Sequence, residues 1–373
     1  MNDLSIHKGK KVLVALSGGI DSTVSALLLK EAGAFPVGLT MKTWDYVSSG
    51  VDIAHNKSTG CCSLDDINDA RSICVEHGIP HTIYDIRNSF NDSVINNFVD
   101  EYMAGRTPNP CILCNTHIKW GALLKIADQL DCEYIATGHY AIIRKENDRY
   151  ILSSGVDATK DQSYVLWGLS QEVLARTIFP VGSYEKTAIR QMALDRGYES
   201  LSKKGESYEI CFIPDNNYRA FLSRKQDIKC GNFIDIDGNI IGIHDGFPYF
   251  TIGQRRGLGI YGTEPRFVTN INPKTNEVTI GAEKDLMRQS MIVNKVNTIK
   301  FTYDELDGMD VMANVRYRGK TSIAKVTCLG DETIRIDFTH QVKSITAGQS
   351  SVFYDPNNPS DVIGGGHIYE VIN

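Results

Sequence analysis

Long apolar runs are missing from this chain of 373 residues, of which 42% are hydrophobic and 23% are charged. No window approaches the roughly 18 consecutive apolar residues of a membrane-spanning helix, so we expect no membrane partner. The N-terminus, MNDLSIHKGKK, lacks the apolar core of a secretory signal. These absences predict a soluble, cytoplasmic protein, and the length predicts two or three domains.

An excess of positive charge is also missing, because the formal net charge is −6 at pH 7. This balance argues against a protein that coats nucleic acid non-specifically, although an acidic body can still carry a local basic surface. The nine cysteines, in a chain with these features, are expected to be reduced, catalytic or metal-bound rather than paired in structural disulfides.

The first 140 residues alternate the patterns of strands and helices. Short apolar runs predict strands, and an apolar spacing near 3.6 predicts helices. The predicted strands are 11–16, 35–41, 81–86 and 133–138, and the predicted helices are 21–33, 63–78 (with Ser63 as its cap), 88–105 and 116–130. Repeated βα units indicate a parallel sheet covered by helices, and ligands bind such sheets at the C-terminal ends of the strands.

The pattern changes beyond residue 215, where strand-like runs alternate with Gly, Asn and Asp turns. The turn sequences DGN and PKTNE predict β-hairpins. We therefore predict an α/β catalytic domain at 1–215, a small β-rich central domain at 216–288 and a C-terminal β-barrel at 289–373. A β-sandwich is the alternative for the last domain.

The segment ALSGGIDST (15–23) lies between the first predicted strand and the first predicted helix. Its glycines let backbone N–H groups converge on an anion, and the helix N-terminus adds a positive dipole end. An ordinary βα turn also contains glycines, but the full SGGxDS string is more specific, and the Walker pattern is absent here. The string resembles the pyrophosphate loop of the N-type ATP pyrophosphatases, which adenylate a carbonyl oxygen.

The segment TPNPCILCNTHIKW (107–120) contains a CxxC pair, Cys111 and Cys114. Zinc needs four ligands, and the adjacent Cys61 and Cys62 have poor chelate spacing, so we expect no metal site. A redox dithiol, two buried structural cysteines and a single nucleophilic thiol stay open. In the last case Cys114 lies at the entrance to the predicted helix, whose positive end lowers a thiol pKa.

A further cysteine, Cys211 in YEICFIP, follows a segment rich in Gly and charge that predicts a mobile arm. Two distant cysteines beside an adenylation site suit sulfur transfer. One would carry a persulfide, and the other would attack the activated carbon or resolve the disulfide.

Eight motifs occur in order over nearly the whole chain: ALSGGIDS (15–22), GLTMKTWD (38–45), TPNPCILCN (107–115), ATGHY (136–140), KDQSYVLWGL (160–169), ICFIP (210–214), TIGQRRGLGI (251–260) and AGQSSVFYD (347–355). Together they resemble the bacterial tRNA-specific 2-thiouridylases from end to end. The resemblance implies an N-terminal parallel-sheet domain like that of the adenine-nucleotide hydrolases, followed by the two β domains.

The resemblance also implies a reaction, the 2-thiolation of the wobble uridine in lysine, glutamate and glutamine tRNAs. ATP with Mg²⁺ adenylates O2 of the uracil, sulfur arrives from a persulfide donor or a sulfur-relay protein, and AMP leaves. The alternative is another ATP pyrophosphatase that acts on a small molecule; that interpretation leaves Cys114 and Cys211 without a task.

The motifs transfer roles to individual residues of this sequence. The resemblance makes Cys114 the nucleophile and Cys211 the persulfide carrier, able to form a disulfide with Cys114. The implied ATP contacts are Ala15, Leu16, Ser17, Gly18, Gly19, Ile20, Asp21, Ser22, Met41 and Gly138. The implied contacts with the target base are Asn109, Pro110 and Cys111, and the implied tRNA contacts are Lys160, Asp161 and Gln162.

The sequence departs from the family at Cys111, where the usual pattern NPDxxCN has an aspartate proposed as an acid/base group. A thiol with an unperturbed pKa near 8.5 does not simply replace a carboxylate. Two hypotheses follow: Asp161 supplies the carboxylate, or Cys111 takes part in the sulfur relay. The sequence GESYEICFI also replaces the usual DSxGICFIG before Cys211.

A basic face for RNA is expected in the C-terminal half. Arg255 and Arg256 stand beside glycines in TIGQRRGLGI, which suits close approach to a phosphate, although an exposed hairpin turn has the same composition. In VMANVRYRGK, strand alternation places Arg316 on one face with Arg318, and Tyr317 on the other. We predict a basic surface there that binds tRNA phosphates, with Arg316 and Tyr317 as tRNA contacts and 202–204 as an extension of this surface. A strand face that contacts only solvent is the alternative.

Overall fold

The computed structural model describes residues 3–44, 64–205, 210–213, 215–260 and 264–372. The chain divides into two compact units. Unit 1 comprises Met1–Val94, Cys111–Asn216 and Ser360–Val362, and unit 2 comprises Ile95–Pro110, Asn217–Pro359 and Ile363–Asn373. The proposed helix cap Ser63 and the Cys61–Cys62 pair lie outside the described residues. The division into three domains at 215/216 and 288/289 stays a prediction.

The strands, in chain order, are β1 Lys11–Ala15, β2 Phe35–Lys42, β3 His81–Asp85, β4 Tyr134–Ala136, β5 Ala141–Glu146, β6 Arg149–Ser154, β7 Thr177–Ile178, β8 Gly231–Ile234, β9 Ile240–His244, β10 Phe267–Asn272, β11 Glu277–Gly281, β12 Met287–Thr298, β13 Asp310–Asn314, β14 Ser322–Gly330, β15 Thr333–Lys343, β16 Ser350–Asp355 and β17 Asn358–Ile372. All four strands predicted for the first 140 residues are present.

The α-helices are α1 Ile20–Glu31, α2 Leu64–Glu76, α3 Arg87–Phe90, α4 Asn96–Met103, α5 Pro110–Leu113, α6 Trp120–Gln129, α7 Gln171–Ala175, α8 Lys186–Asp195, α9 Glu199–Lys203 and α10 Tyr218–Lys225. Two π-helical segments, Asn91–Ile95 and Cys114–Lys119, join α3 to α4 and α5 to α6. None of the helices in the described ranges is both long and apolar enough to cross a membrane.

Unit 1 is built on a five-stranded parallel sheet in the order β3-β2-β1-β4-β7. The apolar run of β1 is buried on both faces because helices cover both. Val12 and Val14 pack toward Leu29 and Cys74 on one side, while Leu13 packs toward Leu123 on the other. The chain turns to opposite sides of β1 when it forms β2 and β4, so the crevice at the C-terminal end of β1 is where such a sheet binds ligands.

Unit 2 contains two β structures. The smaller is a four-stranded sheet in the order β10-β11-β8-β9, with both predicted hairpin turns in place. The larger is a closed antiparallel barrel in the order β12-β15-β14-β13-β16-β17, which a β12–β17 pairing closes. Fully buried aliphatic side chains such as Val293, Val326 and Ile336 fill the barrel. The predicted fold class, a parallel-sheet domain followed by a β-rich domain and a β-barrel, is confirmed.

Residues 251–260, TIGQRRGLGI, form turns and no strand. One expectation from a strand pattern is wrong. In VMANVRYRGK, strand β13 ends at Asn314, and Arg316 and Arg318 follow in a turn in which Arg318 has φ +56°. The Asn314 side chain closes that turn by accepting from Arg316 N and donating to Gly319 O. A strand face shared by Arg316 and Arg318 therefore does not exist.

Candidate active site

The segment between β1 and α1 forms a tight loop. Gly18 has φ +69°, and a Cβ atom on it would lie 2.3 Å from the carbonyl oxygen of Asp66. Glycine is therefore required at this position for both conformation and space. Ser22 Oγ accepts from Ser17 N at 3.2 Å and donates to Gly19 O at 3.1 Å, which fixes the loop over the start of α1. The first N–H groups of α1 have no intrahelical acceptor and suit an anion.

The proposed ATP residues converge at one edge of the parallel sheet. Ala15 ends β1, and Met41 lies near the C-terminal end of the neighbouring β2. Gly138 follows β4 on the other side, and a Cβ atom there would lie 2.7 Å from Ser22 N. The backbone after β4 therefore lies directly against the nucleotide loop, and the three segments enclose the crevice at the topological switch point.

Asp21, in the first turn of α1, is held by Lys186, which lies outside the eight motifs, and by Tyr140, the last residue of ATGHY. Lys186 Nζ lies 2.7 Å from each of its carboxylate oxygens, and Tyr140 Oη donates to Oδ1 at 2.7 Å. Lys186 itself is buried, with 7% of the residue exposed. This pair neutralises a carboxylate that would otherwise stand beside the phosphates of a bound nucleotide.

A second lysine approaches the loop from the segment before Cys211. Lys204 Nζ lies 3.0 Å from Gly18 O, 2.5 Å from Asp66 Oδ1 and 3.0 Å from Asp69 Oδ2. Its ammonium group is therefore committed to the nucleotide loop and the start of α2. The expected contact of 202–204 with RNA stays a prediction.

The sequence predicts Cys114 at the entrance to a helix, but the structure does not place it there. Helix α5 begins at Pro110, four residues earlier, because proline is well tolerated in a first helical turn. Cys111 thus lies in the first turn and is exposed, while Cys114 begins the π-helical segment and is partly buried. Their exposure is also inconsistent with a buried structural pair.

The neighbour of Cys211 is anchored by aromatic packing. Phe212 is 1% exposed, and its ring lies 5.8 Å from that of Phe90 and 6.2 Å from that of Trp44. Phe90 belongs to α3, which also packs against the π-helical segment that begins at Cys114. The same short helix therefore contacts the flanks of both cysteines, although their sequence positions are about a hundred residues apart.

Two of the three proposed tRNA residues at 160–162 are engaged with the protein backbone. Asp161 accepts from Gly155 N at 3.2 Å, Ser163 N at 3.1 Å and Ser163 Oγ at 2.8 Å. Gln162 Oε1 accepts from Tyr140 N at 3.0 Å, beside the nucleotide loop. These contacts give Asp161 a structural task and disfavour it as a replacement base, while Lys160 is half-buried beside them.

The segment before Asn109 and Pro110 is fastened within unit 2. Thr107 N donates to Ala347 O at 3.0 Å, and Gln349 Nε2 donates to Thr107 O at 2.9 Å. Gly348 packs so closely on Thr107 N that a Cβ atom would lie 3.0 Å away. The TPNP and AGQ motifs therefore meet, which their separation in sequence did not indicate.

The exposed arginines lie on turns of unit 2. Arg255 and Arg256 form the tip of a turn that buried Leu258 anchors and that Gly253 N ties to Val268 O at 2.8 Å. Arg316 and Tyr317 are both exposed on the turn after β13. The structure thus presents both pairs on turns, and their contact with tRNA stays a prediction.

Among the described residues, no cluster of three or more His, Cys, Asp and Glu side chains could hold a metal ion. Sequence reasoning missed Lys186, and it assigned no contact to Tyr140 and Gln349 although the motifs ATGHY and AGQSSVFYD include them. It placed Lys204 at RNA rather than at the nucleotide loop. The partners of these residues lie far away in the sequence, 165 positions in the case of Lys186 and Asp21.

His139, directly after Gly138, is packed between the rings of Trp120 and Phe179 and shares a 2.7 Å hydrogen bond between its Nδ1 and Thr137 Oγ1. Burial, and then the charge of Lys119, lower the pKa of His139 well below its ordinary value. The folded chain therefore favours the neutral ring. As the pH falls below the unfolded pKa of about 6.5, the His139 ring is protonated in the unfolded chain before it is protonated in the folded chain.

We expect the wild-type protein to lose more stability than His139→Gln when the pH falls from 7.5 to 5.5. The difference should approach about 1 kcal/mol per pH unit below 6.5, because only the wild type must keep this ring neutral. Urea unfolding at three pH values measures it, with exposed His117→Gln as the control. Equal pH dependence in wild type and His139→Gln would contradict the assignment.

Three family models match consecutive parts of the chain. They are described as the tRNA methyl transferase HUP domain at residues 10–215, the tRNA methyl transferase PRC-barrel domain at 219–282 and the aminomethyltransferase beta-barrel domain at 288–368.

Curated relatives match over almost the full length. The tRNA-specific 2-thiouridylase MnmA of Salinibacter ruber is 51% identical over 98% of this chain and 96% of its own. That of Amoebophilus asiaticus is 54% identical over 97% and 96%, and that of Clostridium kluyveri is 44% identical over 96% and 99%. This chain therefore belongs to the tRNA-specific 2-thiouridylase family.

Proposed function

We propose that the protein is a tRNA-uridine 2-sulfurtransferase that uses ATP and persulfide sulfur to make 2-thiouridine at the wobble position. One observation carries the proposal: α3 contacts the flanks of both Cys114 and Cys211 in the unit that also holds the SGGIDS loop. An enzyme that only adenylates a small molecule has no use for that pairing of thiols.

The first step is adenylation of the uracil O2. An amide-like oxygen is a poor leaving group, and its transfer to the α-phosphate of ATP makes it a good one. The residues proposed to hold ATP are Ala15–Ser22, Met41 and Gly138, whose backbone surrounds the crevice at the end of β1. Pyrophosphate would leave past the N-terminus of α1, where the backbone N–H groups stabilise its charge.

ATP would bring Mg²⁺ with its phosphates. The described residues hold no three-carboxylate cluster, and the Asp21 carboxylate is already paired with Lys186, so the phosphates would be the main ligands. When bound, the ion would neutralise charge that develops on the phosphate oxygens. The protein itself supplies the fixed loop and the two lysines beside it.

Sulfur transfer follows. The terminal sulfur of a Cys211 persulfide attacks C2 of the adenylated base, and AMP leaves with the electron pair of the C2–O bond. The Cys114 thiolate then attacks Cys211 Sγ and forms a Cys114–Cys211 disulfide. The sulfur on C2 keeps the electron pair of the broken S–S bond, and 2-thiouridine results. A thiol reductant restores both cysteines, and a persulfide donor or sulfur-relay protein reloads Cys211.

Cys111 is proposed to face the target base together with Asn109 and Pro110. Because the Asp161 carboxylate is occupied by backbone donors, we favour Cys111 over Asp161 as the group that handles the proton at this position. Near neutral pH a thiol with an unperturbed pKa of about 8.5 is mostly protonated, whereas a carboxylate is ionised, so the two groups begin the reaction in different protonation states.

We expect Cys111→Asp to keep thiolation within about threefold of wild type and Cys111→Ser to lower it about 10-fold or more, because a serine hydroxyl does not titrate in this range. The measurement is the single-turnover rate of thiouridine formation. Loss of activity in both variants would instead place Cys111 in the sulfur relay. Full activity in both would show that this thiol has no required role.

The exposed turns of unit 2 are proposed to bind tRNA through phosphate contacts, with Arg255, Arg256, Arg316 and Tyr317 as the contacting residues. Lys160 with the segment Asp161–Gln162 would contribute from unit 1. The substrates proposed are the lysine, glutamate and glutamine tRNAs, and the reaction is proposed to take place in the cytoplasm. A base inside an anticodon loop must be splayed into the pocket before its O2 can react.

Replacement of Arg255 and Arg256 by alanine should weaken tRNA binding and reduce the salt slope, by about 0.7 to 0.9 for each phosphate that the variant no longer neutralises. The dissociation constant for glutamate tRNA, measured between low and high salt, tests this. Lys274→Ala, an exposed lysine on the β10–β11 turn, is the matched control. Unchanged binding in the double variant would remove this turn from the interface.

The experiment that tests the function combines purified protein, ATP, a persulfide source and unmodified glutamate tRNA, with thiouridine detected by mass spectrometry. We expect thiouridine, AMP and pyrophosphate in equal amounts. The absence of thiouridine, with ATP consumed on a small molecule, would favour the alternative ATP pyrophosphatase activity.

A further inference from the structure

The helical turn that begins at Cys114 is wider than an ordinary α-helical turn. The segment Cys114–Lys119 is π-helical, and Trp120 N donates to Asn115 O, five residues back. In an α-helix, residues five apart point to different sides. In a π-helix, the residue at i+5 follows one turn after residue i, so Lys119 stands one turn after Cys114. Such single wide turns are frequent at functional sites.

Lys119 is oriented by a buried amide. Its Nζ donates to Asn115 Oδ1 at 3.0 Å, and Asn115 Nδ2 donates to Val165 O at 3.0 Å. Asn115 is 3% exposed, so its side chain has a fixed position, whereas Lys119 is half-buried. The residue that follows Cys114 thus holds the ammonium group one turn away from it.

This ammonium has no acidic counter-ion in the described part of the chain, because no Asp or Glu oxygen there lies within ion-pair distance of Lys119 Nζ. The lysines at the nucleotide loop differ, since Lys186 pairs with Asp21, and Lys204 pairs with Asp66. A partly desolvated cation without a counter-ion favours an anion nearby. Its field is already felt at His139, where it disfavours the protonated ring.

We infer that Lys119 is a positioning residue that stabilises the thiolate form of Cys114. The inference rests on the proposed function for the role of that thiolate, which is to attack Cys211 Sγ. The charge of Lys119 has the effect that was expected from a helix N-terminus. Because α5 begins at Pro110, Cys114 does not lie at such an N-terminus. A single ammonium one turn away then supplies the positive charge that a nucleophilic thiol requires.

Other charged and titratable groups surround this turn. Helix α3, which packs against this turn, carries Arg87, and Arg87 pairs with Asp85 at 2.6 Å. The segment Ser163–Leu166 contributes Tyr164, which is buried. The same helical run carries exposed His117 and Cys111. Of the cations named here, Arg87 and Lys119, only Lys119 combines partial burial with the absence of an acidic partner in the described ranges.

The test is the alkylation rate of Cys114 by iodoacetamide as a function of pH, resolved by peptide mass spectrometry. It needs neither ATP nor tRNA, so a failure here is distinguishable from a failure of the proposed function. In the wild type we expect Cys114 to react with a pKa below the ordinary value of about 8.5. Exposed Cys230 in the same sample serves as the internal reference.

Lys119→Met and Lys119→Gln should each shift the Cys114 profile upward by about one pH unit and slow alkylation at pH 7 about 10-fold. Lys119→Arg should keep the wild-type profile, and Lys125→Met, an exposed lysine on α6, should leave it unchanged. The pH dependence of thiolation should move upward by the same amount in the uncharged variants, which a merely structural role would not produce.

Two results would overturn the inference. One is a wild-type Cys114 profile no lower than that of Cys230, which needs no variant and is therefore decisive even if the variants fold poorly. The other is the same Cys114 profile in wild type and in a folded uncharged variant.

Discussion

Cys114→Ser is expected to lower the rate of thiouridine formation at least about 1000-fold while ATP still reacts at the base. A serine hydroxyl remains protonated at neutral pH, and it cannot form the disulfide that releases sulfur to C2. The nucleotide loop does not involve Cys114, and its hydrogen bonds among Ser17, Gly19 and Ser22 stay intact. The two half-reactions should therefore separate in this variant.

The measurement compares thiouridine by mass spectrometry with tRNA-dependent exchange of pyrophosphate into ATP. Cys230→Ser, which changes an exposed cysteine of unit 2, is the matched control and should keep both activities. Near-normal thiolation by Cys114→Ser would show that another thiol performs the second step. Loss of pyrophosphate exchange as well would place Cys114 in adenylation rather than in sulfur transfer.

Lys186→Met is expected to weaken ATP binding about 30-fold, equivalent to about 2 kcal/mol. The change removes both hydrogen bonds from Lys186 Nζ to Asp21 and leaves the carboxylate with Tyr140 Oη alone. The unpaired charge then stands in the first turn of α1 and repels the triphosphate. We expect less than the full cost of breaking a buried ion pair, because the Asp21 side chain is 29% exposed.

ATP affinity by equilibrium titration is the readout, with thermal unfolding measured beside it to separate binding from folding. Lys203→Met is the control, since this lysine is exposed and forms only an i,i+4 pair with Glu199 among the described residues. Double replacement, Lys186→Met with Asp21→Asn, should recover part of the affinity because the repelling charge is gone. Unaltered ATP affinity in Lys186→Met would contradict this account of the loop.

The parallel sheet was predictable because its strands and helices have different periodicities. Val12–Val14 form a short apolar run buried on both faces, which separates β1 from the amphipathic α1 that follows. Glycines at the loop and after α1, α2 and α4 indicated turns. The place of the nucleotide crevice followed from the topology alone, since ligands bind where the strand order reverses.

The failed expectations depended on local choices that periodicity does not determine. The apolar spacing predicts a helix start at residue 116, whereas the helical run begins at Pro110. The alternation of side chains predicts a strand through Arg316 and Arg318, but the strand ends at Asn314, whose side chain closes a turn. The partners of Asp21 and Gly18 come from residues 165 and 186 positions away, and pattern reasoning has no access to such contacts.

The most direct test of the account is the identity of the disulfide formed in one turnover. Protein loaded with persulfide at Cys211 is mixed with ATP and unmodified glutamate tRNA in the absence of reductant, and its disulfides are mapped by mass spectrometry. We predict a Cys114–Cys211 disulfide in an amount equal to the thiouridine formed. Thiouridine accompanied instead by a disulfide that involves Cys111, or by none, would contradict the account.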